Sequence, residues 1–238
     1  MSYKTSLIDL IEDEVDAINF EVEIQSVALN GDGDTVITTC DIFHAQPLYR
    51  VAINDIVYTI KAISGTTQII IAGDITGALS GVTAFDMYRP YFFHGTPIAT
   101  NAELEHQNKA INKTPMVWLL ENYRQVFYED DVLLAQRDSY FDLFFLTSRD
   151  ENWTTGEAYY NAIEPMSRMA ETFIAQLKSR PGTFKGPDFE YEIEPFAKFG
   201  VYIANRGMEK SLFSDLLAGV RVRFSPLTIL KTYECPCP

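Results

Sequence analysis

Basic residues, cysteine and histidine are all scarce in this chain, and each shortage disfavours a class of function. Over 238 residues, 19 Lys and Arg face 33 Asp and Glu, a formal net charge of -14. The deficit runs through both parts: residues 1–120 hold 6 basic and 15 acidic residues (net -9), and residues 121–238 hold 13 and 18 (net -5). Neither part supplies the basic field that holds phosphates, so sequence-independent DNA binding is disfavoured. An acidic wall facing DNA repels it, which suits a passage that DNA slides through and not a reader of sequence. Ordinary solubilising charge gives the same composition.

Cysteine amounts to Cys40, Cys235 and Cys237. An odd count without a framework of spacings points to a reducing compartment. The tail Glu234-Cys235-Pro236-Cys237-Pro238 has two soft ligands but no further pair at metal spacing, so no metal is expected. The three histidines, His44, His94 and His106, belong to no paired-ligand motif. Glycine-rich phosphate cradles are missing too, since Gly31-Asp32-Gly33 lacks a third glycine and a following helix. No apolar run approaches the roughly 20 residues that span a bilayer, and no membrane partner is expected. Met1-Ser2-Tyr3-Lys4-Thr5-Ser6 leads straight into an acidic segment, so synthesis in a cytoplasm without a signal peptide is expected.

Asn30, Asp32 and Asp34 imitate the first ligands of a calcium loop, and Asp41 falls at its twelfth position. Thr35 stands where that loop needs glycine, and a strand-like run follows instead of a helix, so the segment reads as a hairpin turn. The acidic pairs Asp130-Asp131 and Asp150-Glu151 sit in polar turns and read as solvated charge. No cofactor is expected, and the balance leans away from catalysis.

What the chain does have is apolar and aromatic patterning: 47% hydrophobic residues, with 13 Tyr and 16 Phe. Leu7, Leu10, Ile11, Val15 and Ile18 form a helical stripe within residues 6–19, on a helix marginal by itself that must dock. From residue 20 to 75 the period becomes two. Val22, Ile24 and Val27 alternate, and Thr35-Val36-Ile37-Thr38-Thr39-Cys40 returns. Tyr49-Arg50-Val51-Ala52-Ile53 and Ile56-Val57-Tyr58-Thr59-Ile60 flank Asn54-Asp55, a good two-residue hairpin turn. Ser64-Gly65-Thr66-Thr67 then turns into Gln68-Ile69-Ile70-Ile71. Five or so short strands on tight turns predict a small barrel or rolled sheet, because closure removes exposed edges. Thr76-Gly77-Ala78-Leu79-Ser80-Gly81 reads as a linker, residues 101–113 as an exposed loop, and residues 122–131 as a polar connection.

Residues 137–181 read as one strand–turn–helix unit. Asp138-Ser139-Tyr140-Phe141-Asp142-Leu143-Phe144-Phe145-Leu146 is strand-like and aromatic. Thr154 and Thr155 are candidate caps, and Glu157 stands three residues beyond Thr154, the spacing of a capping box. Ile163, Met166, Met169, Ala170, Phe173, Ile174 and Leu177 form the helix's apolar stripe, and Arg180-Pro181-Gly182 stops it. Further strands are expected at Pro115-Met116-Val117-Trp118-Leu119-Leu120, within residues 184–199, at Gly200-Val201-Tyr202-Ile203-Ala204, at Val220-Arg221-Val222-Arg223-Phe224 and at Leu227-Thr228-Ile229-Leu230. The fold class is therefore α+β: a mixed or antiparallel sheet with helices on one side, plus a small barrel-like β domain near the N-terminus. The boundaries are an N-terminal helix at 1–19, the β domain at 20–80 and the α+β domain at 81–238.

Tyrosine, phenylalanine and arginine anchor interfaces, so Tyr88, Arg89, Tyr91, Phe92 and Phe93, together with Trp118 and Trp153, are the subunit-interface candidates. The aromatic stretch at 88–93 reads equally well as domain core.

The order of elements from Pro115-Met116-Val117-Trp118-Leu119 through the 141–146 strand and the 157–177 helix resembles the tail-terminator (tail-completion) and neck proteins of long-tailed bacteriophages. The phrase Leu212-Phe213-Ser214-Asp215-Leu216-Leu217-Ala218-Gly219-Val220 is similar to small virion proteins of phages infecting Bacteroidetes-type hosts. The resemblance covers about 120 of the 238 residues. It implies a non-catalytic virion protein, assembled in the host cytoplasm as a homo-oligomeric ring at the neck or tail junction. Its partners would be copies of itself and neighbouring neck, portal or tail-tube proteins, with DNA passing through the lumen without sequence-specific binding. The β domain at 20–75 is extra to the minimal terminator. A baseplate or tail adaptor, a glycan-binding β module and a carboxylate hydrolase are the competing expectations.

Overall fold

The computed structural model describes residues 6–18, 20–42, 45, 47, 49–87, 89–106, 114–128, 136–180, 183–185, 189–203, 209–214 and 216–230. Tyr88, His44, Asp130, Asp131, Pro181, Gly182, Cys235 and Cys237 lie outside them.

Helix α1 spans Leu7–Asp16, opened by a reciprocal box in which the Ser6 hydroxyl accepts from the Asp9 N–H and the Asp9 carboxylate accepts from Ser6. Six strands follow: β1 (Phe20–Leu29), β2 (Thr35–Thr39), β3 (Arg50–Ile53), β4 (Ile56–Ser64), β5 (Gln68–Ile71) and β6 (Ala84–Met87). They close into a barrel in the order β1-β2-β5-β4-β3-β6. The hairpin between β3 and β4 turns at Asn54 and Asp55, whose φ values of 49° and 63° are those of a two-residue turn matched to strand twist. The expected division at residue 80 leaves out the closing strand, because β6 pairs with both β1 and β3. The expected linker at 76–81 is also packed: Leu79 is buried, and the Ala78 carbonyl accepts from the Asn54 side chain.

The calcium-like segment is a hairpin turn. Asn30 Oδ1 accepts from the N–H groups of Asp32 and Asp34, and Gly33 takes the positive φ the turn needs. Asp34 is buried, accepting from the Gly73 N–H and pairing with Lys61. The Lys61 hydrogen bond is the main reason its carboxyl is held below the usual range.

The second sheet comprises β7 (Tyr91–Gly95), β8 (Met116–Leu120), β9 (Arg124–Tyr128), β10 (Gln136–Ser148), β11 (Tyr191–Phe199) and β14 (Leu217–Leu230), in the order β11-β14-β10-β8-β7 with β9 on β10. β7 and β8 are parallel and the other pairs antiparallel. A small hairpin, β12 (Val201–Ile203) with β13 (Glu209–Ser211), stands apart. The architecture is thus α+β, a mixed sheet with a barrel near the N-terminus.

Helix α2 (Pro97–His106) follows β7, so residues 101–106 of the expected loop are helical. The polar connection at 122–131 likewise contains β9. The long helical run begins as α3 (Thr155–Ala158), where Thr154 and Glu157 form the expected capping box. It passes through a π turn, Tyr159–Ile163, into α4 (Glu164–Lys178). Pro165 explains the wide turn: it has no N–H for an i→i−4 bond, and the Glu164 N–H reaches back five residues to the Tyr159 carbonyl.

The α4 stripe falls where the sequence puts it, with Met166, Met169, Ala170, Phe173, Ile174 and Leu177 all buried. It packs on the face of the sheet bearing Phe141, Leu143 and Phe145, and the Phe145 and Phe173 rings meet edge-on at 5.7 Å. Fully burying each such side chain is worth about 1.5–3 kcal/mol. The same cluster runs on into the barrel through Tyr49, Val51, Ile53 and Ile60, and into α1 through Leu7, Ile11 and Val15. Polar links reinforce the junction: the Tyr49 hydroxyl donates to Thr147 Oγ1 at 2.8 Å, and Arg168 of α4 holds both carboxylate oxygens of Asp41 at 2.9 Å.

Two features of this core are sharply constrained. Gly219 on β14 lies against β10, and a Cβ there would sit 2.0 Å from the Phe145 carbonyl oxygen. We expect Gly219→Ala to cost about 3 kcal/mol in urea unfolding, as overpacking against rigid backbone does. Gly31→Ala, where no described residue lies within 4 Å of the added Cβ, should stay within about 0.5 kcal/mol.

The second is Glu14. It sits on the apolar stripe of α1, fully buried, with Oε1 taking a 2.7 Å bond from Arg180 Nη1 and Oε2 without a hydrogen-bond partner among the described residues. Burial raises its pKa and the Arg180 charge opposes the shift. An acid with a raised folded pKa gives stability that is complete below its ordinary value of 4.5 and lost as pH rises through the folded value. Urea midpoints measured from pH 4.5 to 7 should therefore decline more steeply for the native chain than for Glu14→Gln. Arg180→Ala strands the carboxylate and should cost about 2–3 kcal/mol at pH 7, less than a fully enclosed pair because Arg180 is 44% exposed.

Candidate interaction surface

The sheet has two unlike faces because side chains alternate along β10 and β14. The odd-numbered residues of β10 face α4 and are buried from Ser139 to Thr147. The even-numbered ones face the other way, where the surface divides into a closed and an open half.

The closed half is an aromatic cluster. Trp118 stacks on Phe144 with ring centres 5.0 Å apart, and Phe199 and Phe213 meet Trp118 edge-on at 6.0 and 5.8 Å. Trp118 Nε1 donates to the Gly95 carbonyl at 3.2 Å, so its one polar atom is satisfied. Phe93 and Leu104 of α2 complete the packing. α2 is held over it by the loop before β14, where the Ser214 N–H donates to Asn101 Oδ1 at 2.9 Å and its hydroxyl to Glu105.

The open half is a ladder of charge. Asp142 accepts from Arg223 Nε at 3.1 Å and lies 3.8 Å from Arg221, which also pairs with Glu194 of β11. Hydrogen bonding to Asp142 is the chief reason the Arg223 pKa is raised. Further along, the Arg124 guanidinium lies over the Tyr140 ring at 5.3 Å, and Thr228 Oγ1 donates to Asp138 at 2.6 Å. The Tyr128 hydroxyl is pushed up, first by its hydrogen bond to Asp138.

The interface candidates are not brought together as one patch. Phe93 and Trp118 are interior, 3% and 2% exposed, because they close the aromatic cluster of their own chain; for these two the core reading replaces the interface reading. Phe92 is half-buried and packs on the main core. Tyr91 is half-buried beneath Arg50, which stacks on its ring at 5.0 Å and donates to its hydroxyl. Arg89 is exposed and pairs with Asp16 at 3.0 Å. Trp153 is half-buried in the turn before α3, its carbonyl accepting from Arg149 at 3.0 Å.

The exposed aromatics lie elsewhere, at positions the sequence reading passed over. Phe127 and Tyr128 are on β9, Tyr159 and Tyr160 on the π turn, and Tyr191 on β11. The signal for β9 was the run Val126-Phe127-Tyr128, all strand-prone types. For α2 it was Thr96 before Pro97, a cap followed by proline at the first helical position, with Thr96 Oγ1 accepting from the Ala99 N–H at 3.3 Å.

An open depression of about 370 Å³ on the barrel is lined by Glu21, Glu23, Ile24, Thr83 and Ala84. Glu21 stands directly across from Asp86, a like-charge pair that costs stability. His94 is exposed, and Cys40 is a free, exposed thiol that accepts from Gln25 at 3.0 Å. Asp150 accepts from the Asn152 backbone and side chain in its own turn. Among the described residues no group of three or more His, Cys, Asp or Glu is placed to hold a metal ion, and no helix is long and apolar enough to cross a membrane.

No protein family, curated protein or solved structure matches the chain in comparisons of sequence and fold.

The burial pattern separates core from surface aromatics in a measurable way. Trp118→Ala should cost about 3–5 kcal/mol in denaturant unfolding. Tyr160→Ser, at a side chain 69% exposed, should stay within about 0.5 kcal/mol.

Proposed function

We propose that the protein is a non-catalytic structural component of a virion, forming a homo-oligomeric ring at the neck or tail junction of a long-tailed bacteriophage. The observation that carries the ring is the placement of exposed aromatics at opposite margins of one sheet. Phe127 and Tyr128 lie on β9 at one side and Tyr191 on β11 at the other. Two unlike surfaces on opposite sides of a subunit are what head-to-tail contacts need, and such contacts make a ring when the rotation between copies closes and an open filament when it does not. The phage assignment is supported by the order β8, β10, α4, β14, which carries the resemblance to tail-terminator and neck proteins.

The acidic balance fits a conduit. Glu21, Glu23 and Asp86 form an exposed acidic group on the barrel, and in this reading they face the lumen and keep DNA moving by repulsion. The neighbours would be portal, neck or tail-tube proteins, and the place of action the virion.

Light scattering and negative-stain microscopy of the purified protein test the ring directly: closed rings of uniform diameter are expected, and a monomer at tens of micromolar would overturn it. Replacing Glu21, Glu23 and Asp86 together by Lys should slow DNA packaging or ejection in the assembled particle. Unchanged passage would remove the conduit role and leave the ring.

A further inference from the structure

We infer that copies of the chain join by pairing β7 of one with β11 of the next, so that the second sheet continues from copy to copy. This rests on the ring reading above and specifies its contact. The two strands are the first and last in the sheet order β11-β14-β10-β8-β7. The Tyr91 N–H donates to the Pro115 carbonyl at 2.9 Å, and the Gly95 carbonyl accepts from the Glu121 N–H at 3.2 Å, so both ends of β7 are tied to β8. Alternation between those bonds points the backbone groups of Tyr91, Phe93 and Gly95 toward β8 and those of Phe92 and His94 away from it. On β11 the Glu190 carbonyl accepts from the Ser225 N–H, which turns Glu190, Glu192 and Glu194 toward β14 and Tyr191 and Ile193 outward. Among the described residues β7 pairs with β8 alone and β11 with β14 alone, and the backbone groups of Phe92, His94, Tyr191 and Ile193 make no hydrogen bond on the outward side. Solvent reaches both edges, since His94 and Tyr191 are exposed.

The edges fit together antiparallel in a register that places Phe92 opposite Ile193 and His94 opposite Tyr191. That register sets Tyr91 opposite Glu194, Phe93 opposite Glu192 and Pro90 opposite Pro195. Neither proline has an N–H, so the ladder stops at the same step on both strands and leaves no donor unmatched there. The faces agree. Phe92 and His94 share the helix-bearing face with Val117 and Leu119, and Tyr191 and Ile193 share it with Phe224 and Val222. The charges agree too: residues 89–95 hold Arg89, His94 and no acid, and residues 190–194 hold three Glu and no base. The Arg50 guanidinium, stacked on the Tyr91 ring, brings a further positive charge to the side where Glu194 would stand. A second β11 is a poorer partner, because each antiparallel register that pairs its outward residues with one another also sets glutamate against glutamate. β7 and β11 run in opposite directions within one sheet, so a copy displaced sideways offers its β11 antiparallel and with the same face up.

Cysteine trapping tests this pairing. In a background with Cys40, Cys235 and Cys237 changed to Ser, His94→Cys and Tyr191→Cys are combined in one chain. Across the proposed contact their Cα atoms stand about 5.5 Å apart, as hydrogen-bonded antiparallel pairs do, within disulfide reach. Within a copy the two positions are four strand spacings apart, about 19 Å across the sheet, which no disulfide spans. Mild oxidation should give a ladder of covalent oligomers ending at one discrete size, and mixing the two single variants should give dimers only. A ladder without an end would keep the pairing and replace the ring by a filament. Cross-linking of either single variant by itself would mean that like edges pair, overturning the head-to-tail contact. A large assembly with no cross-link would overturn the edge pairing and leave the ring standing; a monomer would overturn both. As a second arm, His94→Pro removes an N–H that points away from β8, a change that an edge strand accepts. Assembly should weaken at least ten-fold with the unfolding midpoint of the subunit nearly unchanged, and undiminished assembly would overturn the pairing.

Discussion

β10 and β14 run antiparallel over 12 registered pairs, from Gln136 with Leu230 to Ser148 with Leu217, and the placement of the other sheet strands follows from that ladder. It takes β8 and β9 along one side of β10 and β11 along the far side of β14. Strands of 13 and 14 residues are long for a globular domain, and their faces alternate without interruption except at one bulge opposite Tyr140. The close approach at Gly219 shows how tightly the pair is set, since no side chain fits between that position and the Phe145 carbonyl. With the odd face committed to α4 and the even face capped by aromatics at one end, the least covered part of this sheet among the described residues is its charged half.

The barrel and the sheet do not behave as separate bodies on a linker. One apolar cluster runs from Ile60 and Ile37 in the barrel, through Tyr49, to Phe145 and Phe173. The buried Tyr49–Thr147 hydrogen bond and the Arg168–Asp41 pair bracket that junction. Helix α1 joins the same cluster, with Glu14 as its one buried charge. A buried carboxylate answered by a half-exposed arginine adds little net stability. Its effect is selective: α1 fits in the orientation that brings Glu14 to Arg180, and a rotation of the helix would leave the charge without its partner.

Much of this was legible in the sequence wherever one residue type sufficed to set the local structure. Asn54-Asp55 between two β-branched runs specified a hairpin, and Thr154 with Glu157 specified a helix start. The stripe from Ile163 to Leu177 specified which face of α4 is buried. What was not legible depends on tertiary partners. α2 buries Thr100 and Leu104, too few positions to give a periodic signal. β9 is half-exposed on both faces, so its pattern does not alternate. Glu14 keeps helical spacing with Leu7, Ile11 and Ile18, but an acid on that stripe reads as surface until Arg180 is seen beside it. For Trp118 and Phe93, residue type fits core and interface alike, and only the positions of Phe144, Phe199 and Phe213 decide between them.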